Sequence, residues 1–205
     1  MLWWLSQNVV PIYKKLRIIG FLRFRLLRIL YKIFWKNSPR NGEWDFLLSW
    51  LRPLRNWQKP VTVLDVGSTE SLLIYELLHR GYDVTGIDQR PYQEPNEHTL
   101  VMDVLKPLQL PKFDYILAVS SLEHVGLGAY EDQKDPLGDL KAIVNLHDVL
   151  KDDGYFFMTV PNKHLGTDTG RGYSYPKFCK LIEKHYKIVY FEERSNQLCV
   201  VMVKR

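Results

Sequence analysis

Residues 61–88 constrain the fold of this chain more than any other stretch. Val61-Thr-Val-Leu-Asp-Val66 is apolar and β-branched, and it breaks at Gly67. Val84-Thr-Gly-Ile-Asp88 is a second short run, ending in a carboxylate 21 residues after Gly67. Between them, Leu72-Leu-Ile-Tyr-Glu-Leu-Leu-His-Arg80 is built of helix formers and stops at Gly81. Strand, turn, helix and strand in that order predict a right-handed βαβ crossover. In such units the first turn lets backbone approach a ligand. An acid at the end of the second strand accepts hydrogen bonds from a ribose diol. The segment points to a ligand that carries a nucleoside.

The missing glycines narrow the choice. A dinucleotide site needs G-x-G-x-x-G, because a pyrophosphate lies against bare backbone at a helix N-terminus. Here only Gly67 is present; Thr69 and Ser71 stand where further glycines would help, and Glu70 puts negative charge where phosphate would sit. NAD and ATP are disfavoured, and a nucleoside ligand without phosphates, such as S-adenosylmethionine, is easier to accept. Asp65-Val-Gly67 resembles motif I of the class I S-adenosylmethionine-dependent methyltransferases, D-x-G-x-G-x-G, and departs from it at Thr69 and Ser71.

The 205 residues favour one domain plus an extension, and the 46% apolar content is that of a globular chain with a real core. The two cysteines, Cys179 and Cys199, form no disulfide framework and read as buried thiols in a reducing compartment. The six histidines show no zinc-ligand spacing, so no metal is expected. The net charge of +5 is segregated. Residues 1–40 hold nine Lys or Arg and no acid, whereas residues 41–205 hold 19 basic against 23 acidic residues, a net of −4. A basic helical extension (1–58) and a mildly acidic domain (59–205) are the expected parts.

Ile12 to Lys36 predicts a helix with Lys14, Arg17, Arg25, Arg28, Lys32 and Lys36 on one face, interrupted by Lys15, Gly20 and Arg23. Pro11 breaks the uncharged run 1–13 well short of the roughly 20 apolar residues of a membrane span, and no signal-peptide cleavage pattern appears. Two readings follow. The helix lies on an anionic membrane with Trp3, Trp4 and Trp35 at the headgroups, or it packs its apolar side on the domain and solvates its basic side. The first places the protein in the cytoplasm at the inner face of the membrane. Nucleic-acid binding is disfavoured, because the residues between the cations are mostly aliphatic. Glu43 to Trp57 predicts a second helix interrupted at Pro53, and 56–60 is the expected boundary before the first strand.

Further strands are expected over 98–102, 113–120 and 155–160, and helices over 139–150 and 175–186. Strands over 187–192 and 198–203, joined by Ser195-Asn196-Gln197, close as an antiparallel pair. Lys151-Asp-Asp-Gly154 reads as a turn. The fold class is thus α/β, a Rossmann-like sheet of seven strands, five parallel and then a hairpin. This layout from Val61 onward resembles the class I methyltransferases. Ser120-Ser-Leu-Glu-His-Val-Gly-Leu-Gly-Ala-Tyr130, followed by Asp135-Pro-Leu-Gly-Asp139, is similar to a bacterial subgroup with an S-x-E-H-V-G-L-G-x-Y signature. Leu150-Lys-Asp-Asp-Gly154 resembles the L-K-P-G-G turn of the wider superfamily.

Open α/β sheets bind ligands at the carboxyl ends of their strands, where Asp65, Gly67, Asp88, Asp103, Ser120, Glu123, His124 and Asn162 are expected. The resemblance implies S-adenosylmethionine held by Asp65, Gly67, Ser68, Asp88, Gln89, Asp103, Val104 and Ser120. Gly67 would pass close to its amino-acid portion, Asp88 would hold the ribose and Asp103 would sit by the adenine. Asp88 reads alternatively as a solvated loop acid, and Asp103 as the cap of the turn before Leu105-Lys-Pro107. Glu123 and His124 fall where an acceptor would lie. His124 is either a general base for a hydroxyl or a loop-orienting residue. Tyr130, Asp132 and Asp135 are further loop candidates, and Gly166 to Gly172 is either a flap over the acceptor or a plain surface loop. The expected activity is methyl transfer to a small-molecule or glycan-like acceptor, at oxygen. The rival is a catalytically silent module of the same fold.

Overall fold

A computed structural model describes residues 17–34, 38–52, 60–69, 72–92, 97–128, 130, 133–162 and 170–205. The elements in chain order are α1 (Arg17–Phe34), α2 (Pro39–Trp50), β1 (Thr62–Val66), α3 (Leu73–His79), β2 (Asp83–Asp88), β3 (Thr99–Val101) and β4 (Phe113–Val119). A 3-10 turn (Leu122–His124), α4 (Gly138–Asp148), β5 (Leu150–Pro161), α5 (Tyr175–Ile182), β6 (Tyr186–Arg194) and β7 (Gln197–Lys204) follow. One seven-stranded sheet runs β3-β2-β1-β4-β5-β7-β6. The first five strands are parallel, and β7 pairs antiparallel with both β5 and β6. The fold class read from the sequence is the one observed.

The differences are local. α2 begins at Pro39, four residues before the expected start, because a proline in the first turn forfeits no helical hydrogen bond. Lys151–Gly154 is not a turn before the strand but an irregularity within β5: Phe113 pairs with Leu150, and Tyr115 with Tyr155. Asp114, opposite this bulge, accepts from Lys151 Nζ (2.7 Å) and from the amide and hydroxyl of Thr62 (2.8 and 2.7 Å). The β6–β7 connection is two residues, Ser195 and Asn196, both with positive φ, the geometry that matches strand twist in tight hairpins. Cys199 is buried as expected; Cys179 on α5 is only partly so. Residues 12–16 and 53–59 lie outside the described residues, and with them the ends of the two expected N-terminal helices.

Each face of the sheet has its own apolar cluster. α4 and α5 cover one face through Ile143, Leu146, Phe178 and Ile182. α1, α2 and α3 cover the other through Phe24, Trp44, Leu47, Leu73 and Leu77. Full burial of each such side chain stabilises by about 1.5–3 kcal/mol, so the N-terminal helices share the core of this face.

The basic side of α1 is partly solvated and partly engaged with the domain, since Arg25 and Lys32 keep 49% and 50% of their side-chain surface exposed while pairing with acids of α3 and α2. Arg25 makes two 3.0 Å bonds to Glu76, and Arg28 and Lys32 bond Asp45 at 2.6 and 3.0 Å. Leu22, Leu26, Ile29, Ile33 and Phe34 point outward as well, each 55–61% exposed. Glu76 explains the pairing of Arg25. It is fully buried, and a buried carboxylate is tolerated only when paired. Arg80 one turn along α3 and Arg25 across the interface supply the charge, at 2.7 and 3.0 Å. Among the described residues no helix is long and apolar enough to cross a membrane.

Candidate functional site

A cavity of about 420 Å³ opens at the carboxyl ends of β1, β2 and β4, a volume typical of small-molecule sites. One half is built by the βαβ unit. Gly67, at the end of β1, has φ +78 and donates its N–H to Ile87 O at 2.8 Å. A Cβ there would stand 2.6 Å from Ser121 Cβ, so the turn needs both the left-handed conformation and the bare backbone of glycine. Asp65, just before it, is buried, and its Oδ2 has no hydrogen-bond partner. Burial pushes its carboxyl up to about 7, with Asp88 adding and Arg40 opposing.

Asp88 ends β2 and faces the same cavity. It accepts from the amides of Arg90 (2.9 Å) and Thr69 (3.2 Å) and from the Arg90 guanidinium (two bonds of 3.2 Å). Burial raises its pKa, but the bonds from Arg90 and Thr69 outweigh this and hold it below the usual carboxylate range. The Arg90 guanidinium also stacks over the Tyr130 ring, 4.5 Å from its centroid. Gln89 and Val104 line the cavity, and Gln89 Nε2 donates to Tyr130 O at 3.1 Å.

Three residues expected here are placed elsewhere. Ser68 is buried beside Gly86, its hydroxyl 2.6 Å from that of Tyr92. Asp103 lies outside the lining and caps a turn, accepting from Leu105 N at 2.9 Å. Asn162 adjoins the β6–β7 hairpin, donating its N–H to Asn196 O at 2.8 Å. Ser71 and Asp132 lie outside the described residues.

The other half gathers distant residues. Ser120, at the end of β4, holds a strained left-handed conformation with φ 44, and its amide donates to Thr159 Oγ1 at 3.1 Å. Its hydroxyl donates to Oε1 of Glu43 from α2. Thr159 Oγ1 donates to the same oxygen at 3.1 Å, and Arg40 stands 3.7 Å from the other. Glu123 is 2% exposed, and its Oε2 has no partner. Burial pushes its carboxyl up to about 8, and nearby Glu43 adds to the shift. His124 is a quarter exposed, 3.8 Å from Glu123 Oε1, with its ring edge-on to Tyr130.

The loop after β4 shows why its string is so particular. Gly126 has φ +77, and a Cβ on it would meet Asp135 O at 2.4 Å and Gly138 Cα at 3.1 Å. The glycines let two loop segments touch backbone to backbone. Arg171 ties them together: its amide donates to Glu123 O (2.9 Å) and its guanidinium to Val125 O and Asp135 O. Asp135 itself accepts from Leu137 N at 3.0 Å and from Lys141, outside the cavity lining. The expected flap over 166–172 lies outside the described residues as far as 169, and its Arg171 end is anchored as described.

Sequence reasoning missed Arg40, Glu43, Arg90 and Gln197, all of which line the cavity. Glu43 meets Ser120 and Thr159 across 77 and 116 residues, and no spacing rule reports such a contact. Arg90 had a signal, a cation two residues after the ribose-type acid.

A family profile described as "Caenorhabditis protein of unknown function, DUF268" matches residues 87–197, just over half of the chain. The chain belongs to this family. The match runs from the end of β2 to the first residue of β7 and takes in the whole Glu123–Asp139 loop. No curated protein matches. Among solved structures, a methyltransferase of Clostridium acetobutylicum dependent on S-adenosylmethionine superposes with TM-score 0.61 at 12% identity, covering 88% of this chain and 98% of its own. The 1,6-didemethyltoxoflavin-N1-methyltransferase of Burkholderia thailandensis, bound to its substrate and S-adenosylhomocysteine, gives 0.58 at 18% identity, over 92% and 89%. A TehB-like methyltransferase of Corynebacterium glutamicum gives 0.56 at 19% identity, over 88% and 100%. At these identities the likeness is one of fold: this DUF268 chain has the class I methyltransferase fold.

Proposed function

We propose that the protein is an S-adenosylmethionine-dependent methyltransferase acting on a small-molecule or glycan-like acceptor at oxygen. The observation that carries this is the conjunction, in one cavity, of the bare Gly67 turn, the unpartnered Asp65 oxygen and Asp88 at the end of β2. Residues present fit the cofactor: Asp88 for the ribose diol, the Gly67 turn and Asp65 for the amino-acid portion. S-adenosylmethionine supplies an activated methyl group when bound, so the protein needs no nucleophile of its own. It must align the acceptor, exclude water and take a hydroxyl proton. His124, partly exposed and 3.8 Å from Glu123 Oε1, is the candidate base for that last task.

One observation favours a silent module. The Arg90 guanidinium already holds the Asp88 oxygens that a ribose would claim. Calorimetry with S-adenosylmethionine and S-adenosylhomocysteine separates the two readings. Saturable binding of both is expected; no heat at millimolar ligand would sink the enzyme.

We also propose that α1 rests on an anionic lipid surface, at the inner face of the membrane. The exposed Leu22, Leu26, Ile29, Ile33 and Phe34 recur at helical spacing on one side, and the first 40 residues carry no acid. Because Arg25, Arg28 and Lys32 are drawn to Glu76 and Asp45, attachment rests chiefly on apolar burial. Each lipid-facing cation adds about 1 kcal/mol. The full chain should co-sediment with anionic vesicles, and an Ile29→Asp, Ile33→Asp double substitution should release it. Wild type remaining in the supernatant would end this reading.

A further inference from the structure

Among the described residues, two acceptors in the acceptor half of the cavity have no donor. Glu123 Oε2 and Gln197 Oε1 are buried and unpartnered, and both residues line the cavity with Glu43. Glu43 is itself 1% exposed, with one oxygen used by two hydroxyls and the other 3.7 Å from a guanidinium. Leaving a buried carboxylate oxygen unpaired is costly. Hydrophobic residues of the same volume would cost less, so these acceptors point to a donor-rich ligand.

Charge says which kind of donor. Glu43, Asp65, Asp88 and Glu123 face the cavity against Arg40 and Arg90. Burial disfavours the charged forms of Asp65 and Glu123, and a cation seated beside them would restore those forms, giving an excess of two carboxylates. S-adenosylmethionine carries a sulfonium, an ammonium and a carboxylate, so its binding would leave one negative charge. A carboxylate or phosphate on the acceptor would add to that charge, and a neutral alcohol would leave it standing. A protonated amine would neutralise it, and its N–H donors suit the unpartnered Glu123 Oε2 and Gln197 Oε1, with the Glu43 carboxylate in the same lining.

We infer that the acceptor carries a protonated amine, which seats against Glu43, Glu123 and Gln197 and anchors the molecule for methyl transfer. This rests on the methyltransferase reading. Glu43 is then a specificity residue contributed by the N-terminal helices, and Ser120 and Thr159 are positioning residues that hold its carboxylate.

The test uses the full chain saturated with S-adenosylhomocysteine, whose binding is measured first. Butylammonium, butanol and butyrate are then titrated at matched ionic strength and pH 7, with NMR shifts as the readout. Butylammonium should bind about tenfold or more tighter than the other two, the worth of hydrogen bonds to charged groups. Glu43→Gln and Glu123→Gln should each remove that preference while S-adenosylhomocysteine affinity stays within about twofold of wild type. Equal binding of the three probes, a preference for butyrate, or no probe binding to the saturated protein would overturn the inference. Failure to bind S-adenosylhomocysteine would instead overturn the methyltransferase reading. If a variant fails to fold, the wild-type order of the three probes decides by itself.

Discussion

The half of the cavity under β1 and β2 is made by residues 65–104, one βαβ unit and the short strand after it. The half beside β4 draws on Glu43, Ser120, Glu123, Thr159 and Gln197, from nearly the full length of the chain. In the first half backbone geometry is joined by two carboxylates: Asp88, whose bonds outweigh its burial and hold its pKa down, and Asp65, whose pKa burial raises. In the second, burial outweighs every bond at Glu123. The first half is local in sequence, whereas the second exists only once distant segments have packed together.

The junction between the halves is Gly67 against Ser121, and it offers the largest effect. Gly67→Ala would force a Cβ into a left-handed turn 2.6 Å from another side chain. It should cost about 2–4 kcal/mol of stability and disturb both cofactor binding and the loop carrying Glu123. Denaturant unfolding and calorimetry would check this; an unchanged midpoint and affinity would mean that the halves are not mechanically joined there.

A smaller effect separates the halves. Asp88→Ala should weaken S-adenosylhomocysteine binding by about 1.5–3 kcal/mol and leave amine binding to the saturated protein unaltered. Unchanged cofactor affinity would show that Asp88 serves Arg90 alone and would strengthen the silent-module reading.

The smallest concerns pH. Asp65 and Glu123 are raised to about 7 and about 8, so the folded state binds their protons more tightly than the unfolded chain. Stability should then fall as pH rises from about 5 to about 7 for Asp65 and about 8 for Glu123, by at most about 1.4 kcal/mol per unit for each group. The lowered carboxylates Asp45, Asp88 and Asp114 lose their contribution only at acid pH and do not enter this window. Glu123→Gln should flatten the slope, which melting temperatures across that range would show. A slope unchanged by the substitution would mean that the acid is charged and satisfied in the folded protein.

The order of strands, the Gly67 turn and the Asp88 carboxylate were legible because each depends on neighbours a few residues away. Alternation, helix formers and turn glycines are local rules, and a parallel crossover leaves little choice of hand. Asp103 was half legible: its turn-capping alternative is what the loop geometry adopts. The pairing of the α1 cations with acids of the domain was not legible, because amphipathic spacing says which residues share a face and not which partners that face meets. That was decided by Glu76, a buried acid 51 residues from Arg25. Nor did any local pattern mark Glu43, whose partners arrive only when β4 and β5 lie side by side beneath α2. Short-range sterics and periodicity fix elements and their turns, whereas a buried charge finds its partners only after the sheet has formed.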